Sequence, residues 1–489
     1  MKIAVISDLH FSRKPSGPDA GRVGKYADIF LLRAVRRLKR FLRPDLVFIG
    51  GDLLDEPDSP DAASLLLELK NILALLDMPV IVIPGNHDPA PDAFYKVMPK
   101  PAEYLDVGRF RFIPFPYDPQ TEGWNARRDP AELAHMKRLA TSHNGPVVSL
   151  QHVPLFPAES CDCPYNYENS SELVTAMRAA GVKLSLSGHY HKGFQIIDQN
   201  GLSAVAAPAL CESPFRFLTL DLDGDGKIVR TETHSLCMPE ELHLTDYHVH
   251  TRFAYCNENM DVGKALELAT LFKLELISFS EHSSHLYFNI EDYRNRLYHR
   301  NIIPAVNSET RIDEYFSELD RYSGQKFMRG LEIDIDYLGK PVVRAEDLKR
   351  ANLRIGAVHY MEAATGDNSA ITDEFMYQTR SILSADIDIL AHPFRVFLRR
   401  KLPPPKELYI PVAEMLKESG TAAEVNFHTN TPDPEFFLAC IERGVEIAFG
   451  SDAHNLYEVG EFYPHLELIK SIGFSGKTAD ILFKTDLII

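Results

Sequence analysis

Side chains able to hold a metal ion recur in this sequence, each time directly after a short apolar run. In the first half, IAVISDLH offers Asp8 and His10, FIGGDLLD offers Asp52 and Asp55, and PGNHD offers Asn86, His87 and Asp88. SLQHVP adds His152, and LSLSGHYH adds His189 and His191. The second half repeats the pattern with Asp246, His248 and His250, then Glu281 and His282, Glu332 and Asp334, His359, His392 and Arg395, Glu424 and Asn426, and finally Asp452 and His454. Carboxylate, amide and imidazole in mixture suit Mn, Fe or Zn better than Ca or an all-sulfur zinc site. Any one of these residues alone has a bland explanation, because a lone aspartate at a strand end usually caps a turn and a lone histidine is usually a hydrogen-bonded structural group. Their repetition at successive strand ends is the signal.

The elements that position them are a series of buried strands alternating with amphipathic helices. Residues 27–43 carry Ile29, Leu32, Val35, Leu38 and Leu42 at helical spacing, and Pro44 ends that helix before the strand Leu46–Ile49. A helix over 62–76, a strand over 80–83 and later strands at 147–150 and 184–186 follow. In open α/β sheets and α/β barrels, strand ends that carry ligands form a site at the carboxyl edge. At LTDYHVHT, 244–251, the chain starts again, and its helices over 262–271 and 410–418 alternate with strands in the rhythm of an α/β barrel. The expected domains are 1–238 and 243–489, joined by a short linker that contains Pro239.

Taken in order, DxH, GDxxD, GNHD, H and GHxH resemble the calcineurin-like metallophosphoesterase family over about 1–235. The resemblance implies an αββα sandwich with two metals, one among Asp8, His10, Asp52 and His191, the other among Asp52, Asn86, His152 and His189, with Asp52 bridging. It also implies that His87 contacts the phosphate and protonates the leaving oxygen, oriented by Asp88 or Asp55. Glu56 stands where many relatives have arginine. The second series, HxH, EH, GxE, VH, HP and SDxH, resembles the PHP (polymerase and histidinol phosphatase) family over 243–489. That implies a distorted (βα)7 barrel with two or three metals, held by His248, His250, His282, Glu332, His359, His392, Asp452 and His454. Relatives often have a further histidine in a C-x-H context; here CNE places Glu258 there, two residues later than usual, as the candidate ligand for a third metal. Arg395 is the candidate phosphate fork, since a guanidinium matches phosphate oxygens bidentately; the competing reading is a solvated arginine in a loop that includes Arg399, Arg400 and Lys401.

With 489 residues and 45% hydrophobic content the chain has material for two cores. Its net charge of −17 argues against bulk attraction to long nucleic acid or anionic membrane. Six scattered cysteines form no disulfide framework, and a chain that opens on a strand with no long apolar run is expected to be cytoplasmic. DLDGDGKIVRTE, 221–232, matches a calcium-binding EF-hand loop in its oxygens, but strand-like flanks and the D-G pair favour a β-hairpin. The expected function is a bifunctional, metal-dependent phosphoesterase that attacks diester and monoester bonds of a nucleotide-like or small phosphorylated substrate with a metal-bound hydroxide. The alternatives are a nuclease acting on DNA or RNA ends, and one active site paired with a binding or scaffold domain.

Overall fold

The computed structural model describes residues 1–14, 21–157, 160–300, 310–363 and 366–485. The chain divides into two compact units, Met1–Cys237 and Met238–Ile489.

The first unit has eleven strands: β1 (Lys2–Ile6), β2 (Leu46–Ile49), β3 (Val80–Val82), β4 (Leu105–Val107), β5 (Phe110–Pro114), β6 (Val147–Leu150), β7 (Val182–Ser187), β8 (Phe194–Gln199), β9 (Leu202–Ala206), β10 (Arg216–Leu222) and β11 (Ile228–Ser235). They form a five-stranded sheet in the order β11-β10-β1-β2-β3 and a six-stranded sheet in the order β4-β5-β6-β7-β9-β8. Alternation decides which residues fill the space between the sheets. Ile3, Val5, Leu46 and Phe48 of the first meet Phe112, Val148, Leu150, Leu184 and Leu186 of the second in one buried cluster. Val47 and Ile49 point the other way and are buried as well, because parallel strands need crossover helices that cover the outer face. Helix Ala27–Arg37 is one; it continues as a wider turn, Leu38–Leu42, and stops at Arg43, whose φ of 47° is left-handed. Helices Pro130–Thr141 and Ser170–Ala179 cover the second sheet through Leu133, Met136, Leu173 and Met177. The layers are therefore helix, sheet, sheet, helix.

The EF-hand-like stretch forms the hairpin between β10 and β11. Leu222 lies opposite Ile228, and Glu232 pairs with Thr219 well inside the ladder. Asp223 Oδ1 accepts from the backbone N–H groups of Asp225 and Lys227, both at 2.9 Å, so it closes the turn instead of facing an ion.

In the second unit β12 (Thr245–Val249), β13 (Leu276–His282), β14 (Met328–Ile333), β15 (Leu353–Gly356), β16 (Ile389–Leu390), β17 (Ala422–Val425) and β18 (Ile447–Phe449) are all parallel and adjacent in chain order. The sheet curls until its two edges meet. His250 N–H donates to the Ala453 carbonyl at 3.0 Å and Ala453 N–H to the His248 carbonyl at 3.3 Å, which nearly closes a seven-stranded barrel. Tyr247, Met328, Leu353, Ile355, Ile389, Ala422 and Ala448, drawn from six of these strands, pack together. Among the described residues no helix is long and apolar enough to cross a membrane.

The loop that carries His152 is fixed by a buried ion pair. The Arg128 guanidinium, 1% exposed, meets Asp118 Oδ1, while Asp118 Oδ2 accepts from the N–H groups of His152 at 2.9 Å and Val153 at 2.7 Å. Removing one partner of such a pair leaves the other charge buried and unmet. Asp118→Ala should lower the stability of this unit by about 3–5 kcal/mol in urea unfolding, with Asp118→Asn losing less. Trp124, the only tryptophan of the chain, lies in this unit and reports its unfolding by fluorescence.

Candidate metal centres at two strand edges

Parallel strands deliver their carboxyl ends to one edge, and the candidate ligands of the first unit gather there. His10 Nε2 lies 3.2 Å from His191 Nε2 and 3.7 Å from Asp52 Oδ2, and His191 Nε2 lies 3.6 Å from Asp8 Oδ1. Beside them His152 Nε2 lies 3.1 Å from Asn86 Oδ1, 3.1 Å from His189 Nδ1 and 3.4 Å from Asp52 Oδ2. Asp52 thus stands between two groups of donors.

The aim of each imidazole is set by its other nitrogen. His152 Nδ1 is 2.6 Å from the Gly50 carbonyl, His189 Nε2 is 3.0 Å from the Trp124 carbonyl, and His191 Nδ1 is 2.5 Å from Glu212 Oε1. His10 Nδ1 is 3.3 Å from Asp55 Oδ1. A carbonyl or carboxylate can only accept, so each of these nitrogens carries the proton and the opposite lone pair points into the cluster. The backbone is shaped for the same end. Asp8, His10, Asp52 and His189 have φ of 57°, 48°, 52° and 66°, a left-handed conformation that non-glycine residues seldom adopt and that gathers at functional sites. The turn before Asn86 must be glycine, because a Cβ on Gly85 would run into Asp52 Oδ1 and lie 2.6 Å from its backbone nitrogen.

The second unit repeats this logic on its barrel. His248 Nδ1 meets Glu424 Oε1 at 2.8 Å, His250 Nδ1 meets Glu281 Oε1 at 3.1 Å, and His359 Nδ1 meets Asp334 Oδ1 at 2.6 Å. Their Nε2 atoms converge on two carboxylates. Glu332 receives His359 at 3.2 Å, His392 at 2.8 Å and His248 at 3.5 Å, and is also in contact with His282. Asp452 Oδ1 lies 2.9 Å from His250 Nε2 and 3.6 Å from His248 Nε2. Nitrogens of His250, His282 and His454 come within 4.8 Å of one another. His392 and Asp452 again have positive φ, 31° and 54°. Burial alone would raise the Glu332 carboxyl, yet His359, His282 and His248 around it hold it well below its ordinary range.

Both clusters fit divalent cations. Asp8 Oδ1 and His454 Nε2 are buried without a hydrogen-bond partner, which is costly unless something else meets them. Asp246, Glu281, Glu332, Asp334, Glu424 and Asp452 are each at most 2% exposed, and Arg395 is the fixed cation among them.

Several expected placements differ. Asp88 does not face His87. Its carboxylate accepts from the N–H groups of Leu53, Leu54 and Gly85 and so fastens two ligand turns together, and burial, with the Asp52 charge adding, raises it to about 7. Asp55 touches His87 through its backbone carbonyl, 3.0 Å from His87 Nδ1, while its side chain holds His10 and the Arg22 guanidinium. Arg395 is 2% exposed and opens a short helix, Arg395–Arg399, instead of lying in a solvated loop. It contacts Asp452 Oδ2 and lies 3.3 Å from His359 Nε2. Glu258 is exposed, and its carboxylate accepts from Asn455 Nδ2 at 2.7 Å. Sequence reasoning missed Arg22, Trp124 and Glu212, which stand in loops with no strand-end pattern to mark them. Glu281, Asp334 and Glu424 sit at strand ends, but only the fold shows that they hold histidines.

The first cluster opens on a cleft of about 470 Å³. Partners that orient a ligand histidine typically contribute 10–100-fold to metal affinity. Glu212→Ala should weaken the metal held by His191 by about that factor in chelator competition, with an unchanged circular dichroism spectrum.

The family model described as calcineurin-like phosphoesterase matches residues 1–193, a span that contains every candidate ligand of the first cluster. Two probable phosphatases, from Thermoanaerobacter sp. (strain X514) and Thermoanaerobacter pseudethanolicus, are each 27% identical to this chain over 188 residues, covering 35% of it and 71% of the relative. Among solved structures, a dimetal phosphatase from Danio rerio aligns at 17% identity with a TM-score of 0.41, covering 48% of this chain and 98% of its own. A purple acid phosphatase from yellow lupin seeds aligns at 15% identity with a TM-score of 0.33, covering 48% of this chain and 53% of its own. The chain carries a calcineurin-like metallophosphoesterase domain at 1–193, and the protein is a metal-dependent hydrolase of phosphoric esters.

Proposed function

We propose that the protein holds two phosphoesterase sites that act in series, the first opening a phosphodiester and the second, a PHP-type site, removing the phosphate left behind. The observation that carries this is the second cluster, where HxH, EH, GxE, VH, HP and SDxH meet at the carboxyl ends of six of the seven parallel strands with a buried arginine among them. Two cations at the first cluster and two or three at the second, of Mn, Fe or Zn, suit these donors. When bound, such ions supply Lewis acidity, which lowers the pKa of an attacking water and offsets charge on the phosphoryl oxygens.

The chain's own residues do the rest. His87 lines the first cleft; with Nδ1–H given to the Asp55 carbonyl, its Nε2 is the nitrogen left to carry a proton to the leaving oxygen. Its backbone N–H donates to Asp52 Oδ1 at 2.7 Å, which ties the proton donor's main chain to the residue between the two ligand groups. In the second site Arg395 is fixed against Asp452 and His359, so a guanidinium is positioned to meet a terminal phosphate dianion. A product of a diesterase is such a dianion. Carrying both sites on one chain raises the local concentration of that product at the second. The substrate in this reading is a small phosphorylated or nucleotide-like molecule, and the net charge of −17 counts against long nucleic acid.

His87→Ala should cut turnover of esters with poor leaving groups by about 10²–10⁴ while metal content stays near wild type; loss of metal would show a ligand role instead. Fed a dinucleotide or cyclic nucleotide, a His250→Ala protein should lose metal only from the second unit and accumulate the phosphomonoester. An Asp52→Ala protein should leave the diester intact and still release phosphate from the monoester. Release of free phosphate by His250→Ala at the wild-type rate would end the serial scheme.

A further inference from the structure

The wall of the first cleft contains a residue that the chemistry above does not use. Trp124 is 56% exposed, although tryptophan gains more from burial than almost any other side chain. It lines the cleft beside His87, with the two rings nearly parallel, at 19°, and their centroids 6.0 Å apart. Its backbone is held in an uncommon state. Gly123 and Trp124 have consecutive left-handed φ values of 67° and 64°, the second on a bulky side chain, and the Trp124 carbonyl is fixed by His189 Nε2 at 3.0 Å. A metal-ligand histidine and an exposed indole are thus set by one peptide group. Tyr165 and Tyr190 open on the same cleft, Tyr165 with its ring 4.6 Å from that of His189, and Arg22 and Lys192 supply positive charge at the rim.

We infer that Trp124 is a stacking platform for a planar aromatic group on the ester, a nucleobase or an aryl ring, and that it makes the first site selective for esters bearing such a group. The inference rests on the phosphoesterase reading of this site and adds the substrate class. Rings have an attractive face whatever their substituents, so an exposed indole binds them without hydrogen-bond readout, and rim cations add attraction to the phosphate. The geometry also gives the stacking a consequence. Because Trp124 lies alongside His87, a ring placed on it brings its own ester oxygen toward the imidazole that protonates it.

The test uses full-length, metal-loaded protein and three phosphodiesters that share a methyl group and differ in the second ester, which is adenosine 5′, phenyl or ethyl. For each substrate, the ratio of variant to wild-type kcat/KM cancels leaving-group reactivity. In Trp124→Leu this ratio should fall about tenfold further for the adenosine ester than for the ethyl ester, mainly through KM, and Trp124→Phe should recover most of the loss. A matching fall for the phenyl ester assigns the platform to any planar ring; its absence assigns it to a nucleobase. In the wild type, adenosine monophosphate should quench tryptophan fluorescence saturably on mixing, while inorganic phosphate should not. Equal losses on the adenosine and ethyl esters, or no quench at nucleotide concentrations that inhibit turnover, would overturn the inference. Failure of the wild type to cleave any of the three esters would sink the phosphoesterase reading, and the fluorescence titration would still decide the stacking.

Discussion

A carboxylate taken out of water has to be met by positive charge, and this chain buries carboxylates where it has little such charge of its own. Asp8 and Asp52 are at most 2% exposed in the first unit, and six carboxylates with Arg395 as their fixed cation are as deeply buried in the second. Histidines surround them and can carry part of that charge, as those around Glu332 do, or, tied back through one nitrogen, present a lone pair to a cation at the other. Divalent cations would offset the rest, so electrostatics and geometry both point to these clusters as metal sites. Other features follow from that requirement: the tethered imidazoles, the left-handed residues that turn side chains inward, and the glycine at 85 that lets two ligand loops touch.

The two units meet the requirement with different scaffolds. In the first, two facing sheets each contribute ligands, and the His152 contact with the Gly50 carbonyl joins a residue after β6 to one after β2. In the second, one curled sheet surrounds the cluster, and Glu332 collects histidines from four other strand ends because a barrel brings its strand ends to a ring. The carboxylates that hold the histidines differ accordingly. Glu281 and Glu424 come from strands and are fully buried, whereas Glu212 comes from a loop and stays half-exposed. Strand-borne supports hold the ligand histidines rigidly, and loop-borne supports leave room for a cleft.

This difference explains what could be read from the amino-acid sequence. An apolar run followed by Asp, His or Glu marks a residue at the carboxyl edge, because strand burial and strand ending are both local. His10, His152 and His250 were legible for that reason. Asp88 was misleading because its position in PGNHD looks catalytic, while its role depends on where Leu53 and Leu54 lie in space. The basic run around Arg395 looks solvent-facing, yet the first arginine of a short helix turns inward to Asp452, 57 residues away. Trp124 and Glu212 gave no local signal at all, since the sheet packing alone brings them to His189 and His191.

Charge also bears on how the two sites would divide the proposed work. The first cluster has Asp8 and Asp52 with Asn86 among four histidines, and of the carboxylates around it Asp88 is buried while Asp55 and Glu212 are partly exposed. The second has six carboxylates in and around it, all at most 2% exposed, so cations there would first offset the protein's own buried charge before attracting a substrate's. A monoester dianion brings more negative charge than a diester and is the harder ligand for such a site. Arg395 bears on this difficulty, because its contacts with Asp452 and His359 set a guanidinium beside the cluster. In the proposed scheme a diester anion, with less charge, would meet the cations at the rim of the first cleft, Lys192 and the Arg22 guanidinium that Asp55 engages.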